Sequence, residues 1–134
     1  MKWALMPLRR YAEFHGRSTR REFWLFHLFF YALIIAVALI TAGVSEPGDD
    51  TPGMVFAILM GLIVLGLAVP MIAVSIRRLH DHDKSGWFYL LSFVPLVGWL
   101  IWLFIMLIPG TQGTNSYGDD PRDRSSPDLE NVFA

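Results

Sequence analysis

Three stretches without Asp, Glu, Lys or Arg, at residues 23–45, 51–76 and 85–118, restrict this chain more than any other feature. Each is longer than the roughly 20 residues that carry a helix across about 30 Å of hydrocarbon at about 1.5 Å per residue. Backbone in lipid must pair its own polar groups, and a segment of this kind does so as a helix. With 54% hydrophobic and 17% charged residues in 134, the chain has too little polar surface for a soluble domain of that length. The predicted fold is all-α, a polytopic membrane protein with three transmembrane helices at about 20–42, 53–76 and 87–108 and an N-terminal interfacial segment. A single membrane domain is expected over residues 1–121, with a disordered acidic C-terminal tail over 122–134.

Local signals set the ends of these helices. Thr19-x-x-Glu22 reads as a capping box that starts the first span near Arg20, with Gly43 as its stop. Thr51 and Pro52 read as N-cap and first helical residue of the second span. Within that span, Ala57 and Gly61 allow close helix approach, and Pro70 leaves the Gly66 carbonyl without its usual donor. Packing explains both features, although a broken helix can also present carbonyls to an ion. Ser85 can cap the third span, which Pro95 and Gly98 should bend or break. Trp99 and Trp102 lie deeper along it than an aromatic belt predicts, a placement that a re-entrant segment would accommodate. Before the first span, Trp3, Met6, Leu8, Tyr11 and Phe14 mix with Lys2, Arg9, Arg10 and Glu13, as suits the headgroup layer, and Pro7 should interrupt any continuous helix. An apolar run that begins only at Phe23 is too long for a signal peptide and should remain as an anchor.

Charge asymmetry gives an orientation. Lys2, Arg9, Arg10, Arg17, Arg20 and Arg21 lie before or at the start of the first span, and Arg77, Arg78 and Lys84 fall between the second and third. The intervening segment holds Glu46, Asp49 and Asp50 and no basic residue. The N-terminus and the 77–86 loop are therefore expected to be cytoplasmic, and three full crossings put the C-terminus outside. Nucleic-acid binding is not expected, because the basic residues hug the membrane. Anionic lipids are the natural partners of such residues. The absence of cysteine excludes disulfide and thiolate chemistry.

The polar stretch from Ser75 to Trp87 holds the densest set of chemically capable side chains. If His80-Asp81-His82-Asp83 is extended, His80 and His82 point the same way and could chelate a metal. If the second span continues as helix, Arg77 meets Asp81 and Arg78 meets His82 four residues on, which needs nothing outside the chain. The ion-pair arrangement is the expected one, with no metal, cofactor or catalytic residue assigned. Gly110 to Gly118 is glycine-rich but lacks the lysine and following helix of a phosphate loop, so it reads as a tight turn.

Two blocks occur together: Phe14-x-Gly16-Arg17-x-x-Arg20-x-Glu22-Phe23-Trp24 and Arg77-Arg78-Leu79-His80-Asp81-x-x-Lys84-Ser85-Gly86-Trp87. With Pro95-x-x-Gly98 and Gly110-x-x-Gly113-x-Asn115-x-Tyr117-Gly118-x-x-Pro121, they resemble the bacterial inner-membrane family called domain of unknown function 805. The resemblance spans about Trp3 to Pro121 and implies a small polytopic protein of a family with no established activity. It also implies a common apparatus built from Arg17, Arg20, Glu22, Arg77, Arg78, His80, Asp81, Ser85, Asn115 and Tyr117. Three full spans, however, would leave Asn115 and Tyr117 across the membrane from the rest.

The expected role is that of a structural or interaction module contacting lipids or membrane partners, as a homo-oligomer or with other membrane proteins. A transporter or channel subunit is an alternative, motivated by the helix breaks at Gly66/Pro70 and Pro95/Gly98. A lipid-modifying enzyme built on Arg78, His80 and Asp81 is another.

Overall fold

The computed structural model describes residues 2–44, 48 and 50–122, and among these the regular structure is helical. Helix α1, Lys2–Arg9, leads to α2, Arg20–Gly43, and α3, Thr51–His80. A 3-10 helix, Gly86–Phe93, and a short α4, Val97–Leu107, complete the order. Helices α2 and α3, with 24 and 30 residues, are long and apolar enough to cross a bilayer. The expected acidic tail lies outside the described residues beyond 122, as do Glu46 and Asp49.

Helix α2 starts where the capping signal places it. The Thr19 hydroxyl accepts a hydrogen bond from the Glu22 amide at 3.2 Å. Only half of the predicted box forms, since the Glu22 carboxylate is bonded to Arg77 instead. Helix α1 runs through Pro7, contrary to the expected interruption. One proline this near a helix end removes a single backbone bond, and Pro7 is fully buried.

Helix α3 extends to His80, so Arg77 to His80 form its last turn rather than a loop. Cations there face the negative end of the helix dipole, which favours the extension. Helix α3 runs unbroken through Pro70, and the Gly66 carbonyl that Pro70 leaves without its backbone donor accepts from the Tyr11 hydroxyl at 2.6 Å.

The third apolar segment differs most from a straight span. Val94 takes the extended conformation that a following proline imposes, with φ −75 and ψ 120, and Leu96 turns the chain at φ 62. Gly98 then lies so close to the Leu91 carbonyl that a Cβ has no room. The two arms are about 16 Å long each, from about 2.0 Å per residue in the 3-10 helix and 1.5 Å in α4, roughly half of a 30 Å hydrocarbon core.

The chain after this hairpin returns to where it left. The Thr111 amide donates to the Asp81 carbonyl at 2.8 Å, four residues before the Ser85 cap of the 3-10 helix. Three complete crossings would have carried residues 110–122 to the far end of the α2–α3 pair; they lie at the same end as Arg17 and Asp81. The small apolar core is at this end too, comprising Phe23, Phe26, Val74, Leu79 and Met106.

Candidate functional site

Four segments converge at the polar end: residues 10–22, the last turn of α3 with 81–83, the C-terminus of α4, and residues 110–122. Asp81 is the centre. The Arg17 guanidinium donates to Asp81 Oδ1 through Nε at 3.0 Å and Nη2 at 2.9 Å. Arg78 donates to the other oxygen, Oδ2. Both guanidiniums and the carboxylate are almost fully shielded from solvent. Two positive groups against one negative leave an excess charge, and backbone oxygens complement it. Arg17 also donates to the Gly113 carbonyl at 2.5 Å and the Thr111 carbonyl at 2.6 Å, and Arg78 donates to the Ile108 carbonyl.

These carbonyl contacts have a simple origin. The last carbonyls of any α-helix lack intrahelical donors. At the end of α4, Met106 accepts from the Trp24 indole at 3.3 Å, Leu107 from Arg20 at 3.2 Å and Ile108 from Arg78. The arginines therefore fasten the returning hairpin by its exposed acceptors and oppose its dipole with positive charge. Gly110 completes the fit, because a Cβ there would collide with the Asp81 carboxylate.

A second buried pair lies alongside. Arg77 donates to Glu22 Oε1 at 2.8 Å, and its other terminal nitrogen donates to the Glu13 carbonyl at 2.9 Å and the Arg10 carbonyl at 3.3 Å. The Ser18 amide donates to the Arg77 carbonyl at 3.1 Å, tying the approach to α2 onto the end of α3. At the periphery, the hydrogen bond from Arg10, helped by its charge, holds the Glu13 carboxyl below its ordinary range. Burial raises the cost of charging Asp120, but bonds from the Arg122 side chain and the Arg122 and Gly113 amides outweigh it and bring the carboxyl to about 2.

The histidines have separate environments. His80 Nδ1 lies 3.1 Å from the Gly16 carbonyl, and its ring stacks on Tyr117 with centroids 3.9 Å apart and planes 5° from parallel. Asn115 bridges the same region, donating to the His80 carbonyl at 2.8 Å and to the Thr111 hydroxyl at 2.9 Å. His82 lies in the turn that follows α3, where burial first and the neighbouring Arg78 charge second lower its imidazole to about 4. The extended backbone that a His80/His82 chelate requires is not formed, since His80 closes a helix and 81–83 turn. Among the described residues no group of three or more His, Asp or Glu converges as a metal site.

All ten residues singled out from the sequence lie at this end. Arg17, Arg78 and Asp81 share one bonded unit, Glu22 and Arg77 form another, and His80, Asn115 and Tyr117 a third. Arg20 closes on α4. Ser85 caps the 3-10 helix, accepting from the Trp87 amide at 3.4 Å. The expected partners were displaced by one helical step: Arg78, not Arg77, pairs with Asp81, because Asp81 has left the helix and an i, i+3 approach now reaches it. Sequence reasoning missed the roles of Glu13, Thr111 and Gly110. Glu13 acts through its backbone carbonyl, which any residue carries, and Thr111 through its carbonyl and amide as well as a hydroxyl that accepts from Asn115, whereas Gly110 was visible as a glycine after Pro109.

This arrangement coincides with a family signature. A match to the protein family of unknown function DUF805 covers residues 11–119, which contain every member of the polar end just described from Tyr11 to Tyr117. The chain belongs to that family. Inner membrane protein YhaI of Escherichia coli K12 is 40% identical over 124 residues, covering 91% of this chain and 97% of the relative. Inner membrane protein YhaH of the same strain is 35% identical over 122 residues, covering 91% and 98%. The uncharacterized protein YiiR is 29% identical over 141 aligned positions, covering 83% and 87%. No solved structure matches the chain. Two apolar helices of spanning length, in a family whose relatives are inner membrane proteins, make this DUF805 chain a polytopic inner-membrane protein.

Proposed function

We propose that this DUF805 protein is a structural or interaction module of the inner membrane, contacting lipids and membrane partners through its apolar shafts and hairpin. In this reading the polar end is a clasp rather than a reaction centre. The observation that carries it is the engagement of the buried charges: the guanidiniums of Arg17, Arg77 and Arg78 all end on Asp81, Glu22 or backbone carbonyls. A phosphate or substrate would have to displace those bonds, and a buried charge that loses its partner costs about 3–5 kcal/mol. The Gly66 carbonyl, which an ion pathway could have used, is held by Tyr11. Loss of Arg78 should lower the amount of folded, assembled protein; an Arg78→Ala variant as stable and as oligomeric as wild type after detergent extraction would sink the clasp.

The same reading places the N-terminus, residues 77–86 and residues 110–122 on the cytoplasmic side, with two crossings and a half-depth hairpin. Basic residues favour the cytoplasm, and the hairpin's arms are too short to cross as separate spans. The cysteine-free chain allows a direct test with a membrane-impermeant thiol reagent. Thr114→Cys and Asp83→Cys should label from one side and Gly48→Cys from the other. Labelling of Thr114→Cys from the side of Gly48→Cys would turn the hairpin into a crossing and reject this topology.

A further inference from the structure

Where α3 ends and the 3-10 helix begins, a cleft of about 340 Å³ is lined by Ile76, Ser85, Gly86, Trp87, Tyr89 and Leu90. Its lining is mostly apolar, and a volume in this range suits part of a small amphiphile rather than a large polar ligand. Gly86 keeps it open: a Cβ there would sit 2.9 Å from the Ile76 side chain. Trp87, at the rim, is 78% exposed.

The residue before this lining is Lys84, exposed, with its ammonium 5.9 Å from the Phe88 ring centroid. Its situation differs from that of the neighbouring cations. Arg10, Arg17, Arg77, Arg78 and Arg122 each meet a carboxylate, and Arg20 meets the Leu107 carbonyl. Lys84 has no carboxylate in ion-pair range among the described residues, and the adjacent Asp83 accepts from the Ser116 amide at 3.1 Å. Arg9 and Arg21 also lack a carboxylate partner among the described residues, but Lys84 is the one whose next residue, Ser85, lines this cleft. Ser85 adds a donor, because its oxygen accepts from the Trp87 amide and its hydroxyl proton is left for another acceptor.

We propose that this cleft binds an anionic phospholipid of the surrounding leaflet, its phosphate held by Lys84 and the Ser85 hydroxyl and one chain lying against Ile76, Tyr89 and Leu90. The proposal rests on the reading of the polar end as a clasp at the membrane surface, since that places Lys84 at headgroup depth and the lining just below it. Charge complementarity selects the headgroup, and the apolar lining selects a lipid over a free anion.

The test uses the full chain in micelles containing equal amounts of phosphatidylglycerol and phosphatidylcholine, with retained lipid read by native mass spectrometry. Wild type should retain phosphatidylglycerol preferentially. Lys84→Gln should cut that preference about fivefold, the worth of one lysine at an anionic surface. Leu90→Trp, at an exposed position that fills the cleft, should lower retention of both lipids, and Arg21→Gln should change neither. An undiminished preference in Lys84→Gln, an equal loss in Arg21→Gln, or unchanged retention in Leu90→Trp overturns the site. Failure of the clasp itself is read separately, from the stability of Arg78→Ala in a micelle of either lipid.

Discussion

At the end of the helix pair where α2 begins and α3 finishes, Arg77 and Arg78 are fully buried, whereas midway along α3 Leu65 is 75% exposed. The first region is organised like the interior of a soluble protein, with paired charges, an apolar cluster and side chains bonded across long stretches of sequence. The second is a pair of apolar shafts whose outward residues, such as Leu39 and Leu62, are exposed. Lipid can solvate an apolar side chain but not a guanidinium, so the protein must build the environment of every buried charge itself. Folding specificity is therefore concentrated at one end, while the shafts need only be apolar and helical.

Arg77→Ala leaves the buried Glu22 carboxylate without its guanidinium and should cost about 3–5 kcal/mol in thermal or denaturant unfolding from micelles. A loss below about 1 kcal/mol would mean that water reaches Glu22 and that this end is not soluble-like. Gly110→Ala pushes a methyl group into the Asp81 carboxylate and should cost about 1–3 kcal/mol, with faster proteolysis within residues 110–122 as the measurement that localises the damage.

Tyr11→Phe sharpens the boundary between the regions, since it removes one hydrogen bond from the polar end to the shaft at Gly66. About 1 kcal/mol is expected, and amide exchange should rise near Pro70 before it rises elsewhere in α3. A pH-dependent effect comes from His82. Its folded imidazole sits at about 4, below the ordinary value of about 6.5, so the unfolded chain takes up the proton first. Stability should be unaffected by this group above about pH 6.5 and should decline as pH falls towards about 4; His82→Asn should flatten that part of the profile. The smallest effect belongs to the shafts. Leu65→Ala should stay within about 0.5 kcal/mol by the same melting measurement, and a core-sized penalty there would reveal a protein partner in place of lipid.

Much of this architecture was legible from particular residues. The charge-free runs announced three spanning helices, of which α2 and α3 are long and apolar enough to cross, Thr19 fixed the start of the first, and Pro95 with Gly98 announced a break in the third segment. An Arg–Asp ion pair at the end of the second span was legible from the spacing, but with Arg77 rather than Arg78 as the partner of Asp81. The contacts of Arg17 with Asp81, Thr111 and Gly113 were not, since they join positions separated by 64, 94 and 96 residues. Nor could hydrophobicity tell whether the third segment crosses or returns, because hydrocarbon and protein interior select the same apolar side chains.

Apolar length and charge spacing are local properties, so a helical membrane chain with a basic entry and a polar stretch between apolar runs was readable residue by residue. The hairpin of residues 86–107, and the return of its last carbonyls to Arg20, Trp24 and Arg78, emerge only from long-range contacts. The physical reason is that a returning helix end has unpaired acceptors, and the donors that satisfy them lie far away along the chain.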